Sequence, residues 1–421
     1  MGNVKILCTA DLHLGRSSAC LHRPDGVDLT AVGAWKRIVD RAISAGADVV
    51  AIAGDVFDSS GSLYEARDGF RAGLKRLEEA AIPVVAVTGN HDYDALRRFH
   101  VQHPGSFQLL GLNGWELKTI ETKSGPVRFA GWSFTAASEP RSHLGELSPL
   151  LDSRMITVGL VHGDIATPDS PYHSVSPAEL ERLGDGWLLG HIHLPTRGLR
   201  WAYSGSPQAL DFAPGERGLH GIHWMTIDER GALIGETESI STVHFCHKTV
   251  EVVPLPGQLP WEAAIDAATG LANRLRLTHA GVESVQLRLS VKLPPGSELP
   301  ALSDRDEPLE DGLHSVRFLE FTAPPKVDLD SLMSSPTYSG ELARMLTHFV
   351  SGQEVAPALL ADCRAAIARQ YSEILGKVQD SGDAERRQLS DEELEAMLAE
   401  LIPTGGFEML NRAIEAGGEA A

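Results

Sequence analysis

The stretch "VKILCTADLH" (residues 4–13) is an apolar, β-branched run that ends in small residues and delivers Asp11 and His13 at once. A strand whose tip carries metal-binding side chains is the simplest reading. The device recurs four times. "DVVAIAGDVFD" (48–58) ends with Asp55, and "IPVVAVTGNHD" (82–92) with Asn90, His91 and Asp92. "MITVGLVHGD" (155–164) supplies His162, and "GWLLGHIH" (186–193) supplies His191 and His193. Between the first three strands, "GAWKRIVDRAISAGA" and "EARDGFRAGLKRLEEAAI" have helical apolar spacing and end near Gly or Pro. Strands alternating with helices predict βαβ units over residues 1–95. In such sheets chemistry collects at the carboxyl ends of the strands, where all five tips fall. His191 and His193, two apart on a strand, are expected to share a face.

After about residue 105 the helices thin out. "WELKTIETKSGPVRFAGWSF" (115–134) reads as a hairpin and residues 200–240 as further strands, so a second sheet packed on the first is expected. Near residue 245 the pattern becomes β-α-β-β, a small separate domain interrupted by the loop "PPGSELPALSDRDEPLEDG" (294–312). The expected domains are 1–243, 244–324, and a linker with a helical tail over 325–421. In the tail, Ser390 and Glu393 are placed for a capping box. Leu394, Met397, Leu398, Leu401 and Ile402 form one apolar stripe, which either packs on its own protein or docks a partner.

The chain has 421 residues, 43% of them hydrophobic, enough for two or three domains. No apolar run approaches the roughly 20 residues of a membrane span, and the N-terminus reaches polar residues too early for a secretory signal. Four scattered cysteines without a CxxC pair fit a reducing cytoplasm rather than a disulfide framework or zinc ribbon. A net charge of −20 argues against nucleic-acid binding at face value. Its distribution softens that objection. Residues 1–250 carry 23 basic against 29 acidic side chains, whereas residues 251–421 carry 14 against 28.

Any single tip is weak, because Asp, Asn and Gly also serve turns. The set is stronger. Asp11, His13, Asp55, Asn90, His162, His191 and His193 are too many donors for one tetrahedral zinc. They suit two ions sharing one carboxylate, for which the central, anionic Asp55 is the natural choice. Imidazole, carboxylate and amide without thiolate favour manganese, iron or zinc over magnesium or calcium.

"D-x-H" (Asp11, His13), "GD" (Gly54, Asp55), "GNHD" (89–92), "HGD" (162–164) and "GHIH" (190–193) resemble, in order and spacing, the motifs of the calcineurin-like metallophosphoesterases. Within that superfamily "TADLHLGR", "GDVFD" and "YSGSPQ" are similar to the SbcD-type DNA repair exonucleases, over residues 1–240. The resemblance implies an α/β fold, a four-layer α/β/β/α sandwich with a β-α-β-β capping domain. It also implies two divalent ions, most often Mn2+: one held by Asp11, His13, Asp55 and His193, the other by Asp55, Asn90, His162 and His191. His91 is similar to the family's catalytic histidine, which stabilises the transition state or protonates the leaving oxygen. Asp92 would either orient His91 or cap the next helix. DNA, an SMC-like (SbcC-type) ATPase and a homodimer are the implied partners, with no membrane. Some relatives have His where this chain has Asp58.

Arg16, Arg97 and Ser204, together with Asp58, are the candidate substrate contacts; for the basic residues the alternative is solvated surface. Two other functions compete: a phosphoesterase for a small phosphoester or cyclic nucleotide, and a scaffold with a vestigial site. The full donor set speaks against the scaffold, and the extra domain favours a polymer substrate. Deleting residues from 385 onward is predicted to abolish co-purification of an ATPase while sparing metal-dependent cleavage; retained co-purification refutes the docking helix.

Overall fold

The computed structural model describes residues 3–20, 25–58, 64–151, 155–165, 167, 170–228, 231–324, 329–334 and 343–344. Ser390, Glu393 and the apolar stripe of the tail lie outside them. From the N-terminus come β1 (Val4–Thr9), α1 (Ala31–Ser44), β2 (Val49–Ala53), α2 (Tyr64–Glu79), β3 (Val84–Val87), α3 (Ala95–Gln102) and β4 (Gln108–Leu109). The hairpin β5 (Glu116–Ile120) and β6 (Val127–Gly131) follows, then α4 (Leu144–Leu147), β7 (Thr157–His162), α5 (Pro177–Arg182) and β8 (Gly186–Gly190). Next are β9 (Thr196–Arg197), β10 (Trp201–Tyr203), β11 (Gly221–Asp228) and β12 (Gly231–Ser239). The last elements are β13 (Val243–Glu251), α6 (Pro260–Thr278), β14 (Ser284–Lys292), β15 (Glu307–Pro308), β16 (Ser315–Thr322) and α7 (Leu329–Ser334). None of the helices among the described residues is long and apolar enough to cross a membrane.

Three sheets result, ordered β12-β11-β1-β2-β3-β4, β5-β6-β7-β8-β10-β9 and β13-β14-β16-β15. In the first, β1 to β4 are parallel, and β11 joins β1 antiparallel. In the second, β6, β7, β8 and β10 are parallel. The described residues divide into two compact units: one takes those up to Val291 with Ala301–Phe321, the other Lys292–Pro300 with those from Thr322 on.

Alternation along the strands decides what each face buries. Ile6, Cys8, Val49, Ala51, Ala53, Val85 and Val87 of the first sheet share a core with Phe129, Val158, Leu160 and Leu188 of the second. The opposite residues of the first sheet, Leu7, Val50, Ile52 and Ala86, pack instead on Trp35, Ile38, Phe70, Leu74 and Phe99 of the helices. On the second sheet Ala130, Val161, Trp187 and Leu189 pack with Leu144, Leu147 and Leu180. Helix α1 starts where the Thr30 hydroxyl accepts the Gly33 N–H at 2.9 Å. Its Trp35 lies 5.1 Å from Phe70, which also meets the rings of Phe57, Phe99 and Phe107. Phe70→Ala should therefore lower the unfolding free energy by about 3–5 kcal/mol, read as a fall in the urea midpoint; a loss below about 1 kcal/mol contradicts this packing.

Candidate metal centre

The five tips meet on one side of the two large sheets. β1, β2, β3, β7 and β8 end at Thr9, Ala53, Val87, His162 and Gly190, and the donors follow within four residues or close the strand. His13 comes furthest from its strand end, four residues on. Bringing these loops together distorts the chain. Asp11, His13, Asp55 and His191 have φ of 51°, 45°, 51° and 99°, in the left-handed region that side chains rarely adopt. Strand geometry therefore does not carry through "GHIH": β8 stops at Gly190, and His191 and His193 owe their placement to a turn. Ile192 still packs on the core. Glycine precedes the crowded donors because nothing larger fits. A Cβ at Gly89 would stand 2.1 Å from Asp55 Oδ1, and one at Gly190 1.9 Å from the Ala53 carbonyl oxygen.

Asp55 is central. Its Oδ2 lies 3.4 Å from His162 Nε2 and 4.0 Å from His13 Nε2. To one side, His13 Nε2 and His193 Nε2 face each other at 3.0 Å, with Asp11 close enough to share an ion with both. To the other, the Asn90 Oδ1 is 3.0 Å from His162 Nε2 and 3.3 Å from His191 Nδ1. Asp11, Asp55 and His162 also form a group of ligand spacing. Asp11 is itself held by the His191 N–H, at 3.0 and 3.1 Å from its two oxygens.

Each of these histidines turns one ring nitrogen inward and gives the other an outer partner. His13 Nδ1 faces Asp58 at 3.3 Å, His162 Nδ1 the Ala53 carbonyl at 3.0 Å, and His191 Nε2 Asp164 at 3.5 Å. His193 Nδ1 is hydrogen-bonded to Glu216. Outer partners of this kind orient imidazoles that bind metal. The charges agree. Burial drives the Asp55 carboxyl up, but His162, His13 and His91 outweigh it and hold it below its ordinary value. Burial alone would push His193 down, yet Glu216, Asp11 and Asp55 carry it up to about 9. The carboxylates thus draw positive charge into the centre, which is the charge divalent ions would bring. The donor set fits two such ions.

The remaining candidates separate. His91 is exposed beside the centre; its N–H donates to Asp55 Oδ1 at 3.0 Å, and its Nδ1 lies 2.8 Å from the Asp58 carbonyl oxygen. Asp92 does not cap α3, whose N-cap is Asp94. It is wholly buried, and its carboxylate accepts the N–H groups of Gly89 (2.8 Å), Val56 (2.7 Å) and Phe57 (3.4 Å). It pins one donor loop to the other, a structural task in place of the expected cap. Burial and the charge of Asp55 hold its carboxyl well above the usual range.

Arg16 is 3.9 Å from both Asp58 and Asp211. Arg97 is exposed on α3. Ser204 is fully buried, its hydroxyl 3.3 Å from the Gly205 carbonyl, which removes it from any surface a substrate reaches. Asp58 is turned to His13 and Arg16. Glu216 and Asp164 were not anticipated. Asp164 had a signal, the last letter of "HGD"; Glu216, 23 residues beyond His193, had none.

Asp92→Ala should cost about 2–3 kcal/mol in metal-free protein, since buried amides lose their acceptor. His91→Ala should cost under about 0.5 kcal/mol, as exposed positions usually do. Urea unfolding in EDTA compares them, and equal losses would contradict the assignment.

The calcineurin-like phosphoesterase family profile matches residues 4–205. Among curated proteins, the chain is 24% identical over 228 residues to the uncharacterized metallophosphoesterase YhaO of Bacillus subtilis, covering 51% of this chain and 56% of that one. It is 26% identical to the DNA double-strand break repair protein Mre11 of Methanopyrus kandleri (53% of this chain, 54% of that one). The Mre11 of Saccharolobus solfataricus is 27% identical (49% and 55%). The chain spans about half the length of the curated relatives it matches. Over residues 4–205 the chain is thus similar to the calcineurin-like phosphoesterase family.

Proposed function

We propose that this chain hydrolyses phosphodiester bonds of DNA. The observation that carries the reading is the convergence of six further nitrogen and oxygen donors on Asp55, with His91 exposed beside them. Asp11, His13, Asp55 and His193 would hold one divalent ion, and Asp55, Asn90, His162 and His191 the other. When bound, the ions supply charge that offsets the anionic phosphodiester and lowers the pKa of water. Thiolate-free donors suit manganese, iron or zinc, and the resemblance to the SbcD-type exonucleases makes Mn2+ the proposed metal.

His91 is the proposed acid. The Asp58 carbonyl takes its Nδ1–H, so the imidazolium form of His91 holds its second proton on Nε2 and gives that proton to the departing oxygen, leaving the neutral ring. Arg16 is only loosely tied, at 3.9 Å from two carboxylates, and would turn to a phosphate oxygen. Arg97 is a proposed outer phosphate contact. DNA as substrate is supported by the two relatives named as break repair proteins and by the third sheet, which a small substrate would not need. The SbcD-type motifs alone support an SMC-like ATPase partner and a homodimer, and the scattered cysteines support a cytoplasmic setting. The net charge of −20 favours a small phosphoester instead.

With Mn2+, end-labelled DNA should be degraded and EDTA should stop it. His91→Ala should lower kcat by about 10²–10⁴-fold while leaving bound metal unchanged. Activity on para-nitrophenyl phosphate esters alone would transfer the reading to small substrates.

A further inference from the structure

Glu216 has a place in this site that no motif announces. It ends the short turn Pro214–Glu216, and its two oxygens do different work. Oε1 is hydrogen-bonded to His193 Nδ1, while Oε2 accepts the Leu210 N–H at 2.8 Å. The second bond keeps the carboxylate from rotating away from the first. With Nδ1 engaged, His193 presents Nε2 toward His13 Nε2, 3.0 Å away, on one side of Asp55.

Its surroundings set Glu216 apart from the other carboxylates behind the metal-facing histidines. The side chain of Asp58 is 34% exposed and that of Asp164 17%, whereas that of Glu216 is 7% exposed. Water competes least where burial is deepest, and of the three contacts the one to His193 is a hydrogen bond. The neighbourhood is held from several directions. The Ser206 N–H donates to the His193 carbonyl at 3.0 Å, and His220 sits against Ser206 Oγ at 2.8 Å. A carboxylate fixed in this way selects the imidazole tautomer, orients the ring and makes the inward nitrogen a better donor.

We infer that Glu216 is a positioning residue that holds His193 toward the metal centre and sets the affinity of the ion on the His13 side. The inference rests on the dinuclear reading of the site. It concerns metal binding and not turnover, so no substrate is needed to test it.

The test titrates the full chain with Mn2+ by calorimetry and by electron paramagnetic resonance, as wild type, Glu216→Ala and Glu216→Gln. The wild type should take two ions, with the spectrum of a coupled pair near saturation. Glu216→Ala should weaken one ion by about 10–100-fold, leave the other within a few-fold, and give the spectrum of an isolated ion at intermediate Mn2+. Glu216→Gln retains an oxygen that can accept the Nδ1–H and should recover most of the loss. Two ions bound as tightly by Glu216→Ala as by the wild type overturn the inference. So does equal weakening of both ions with no recovery in Glu216→Gln, which marks a merely structural residue. A wild type that binds fewer than two ions overturns the dinuclear reading and the inference with it.

Discussion

One carboxylate has to serve donors delivered by two different sheets. Asp55 is 1% exposed, and its Oδ2 lies between His162 on one side and His13 on the other. A carboxylate so far from water is tolerated only with positive charge or hydrogen-bond donors around it. The fold meets that demand from both directions. The first sheet brings Asp11, His13, Asp55 and Asn90; the second brings His162, His191 and His193. The apolar core shared by the two sheets holds them at the separation this requires.

Convergence has structural costs, and they are concentrated where the donors are. Four of the seven donor residues sit at positive φ, a conformation costing of order 1–3 kcal/mol each. Gly89 and Gly190 are compelled by contacts that a single methyl group would violate. Asp92 offsets part of this by collecting three backbone amides from two loops in the dry interior. Its position next to the most chemically suggestive histidine of the chain is a consequence of that bracing. The "GNHD" tip thus divides its labour: Gly89 yields space, Asn90 offers a donor, His91 faces solvent and Asp92 faces inward.

The outer partners of the histidines complete the electrostatics. Two are carboxylates from loops close to other tips, one is the Ala53 carbonyl, and one is the distant Glu216. Together with Asp11 and Asp55 they make a pocket of negative charge within an already acidic chain. Such a pocket attracts divalent cations strongly and a phosphate anion only once they are bound. That ordering reconciles an overall charge of −20 with the proposed phosphoester substrate.

The α/β character and the five donor-bearing tips were legible from sequence because both are local: an apolar run makes a strand, and its end exposes whatever comes next. The count of donors, and hence the argument for two ions, needed no coordinates either. What local pattern misjudged were residues whose role depends on direction. Asp92 turned toward backbone amides, and Ser204 was buried. His191 left the strand before alternation could apply to it. Glu216 lay beyond any pattern, since its link to His193 bridges 23 residues through a loop with no periodicity. The sequence by itself determined which chemical groups would stand at the strand ends. Only the tertiary structure decided which nitrogen each ring turns inward and what holds it there, because tautomer and ring direction are set by partners brought close through packing rather than by neighbours along the chain.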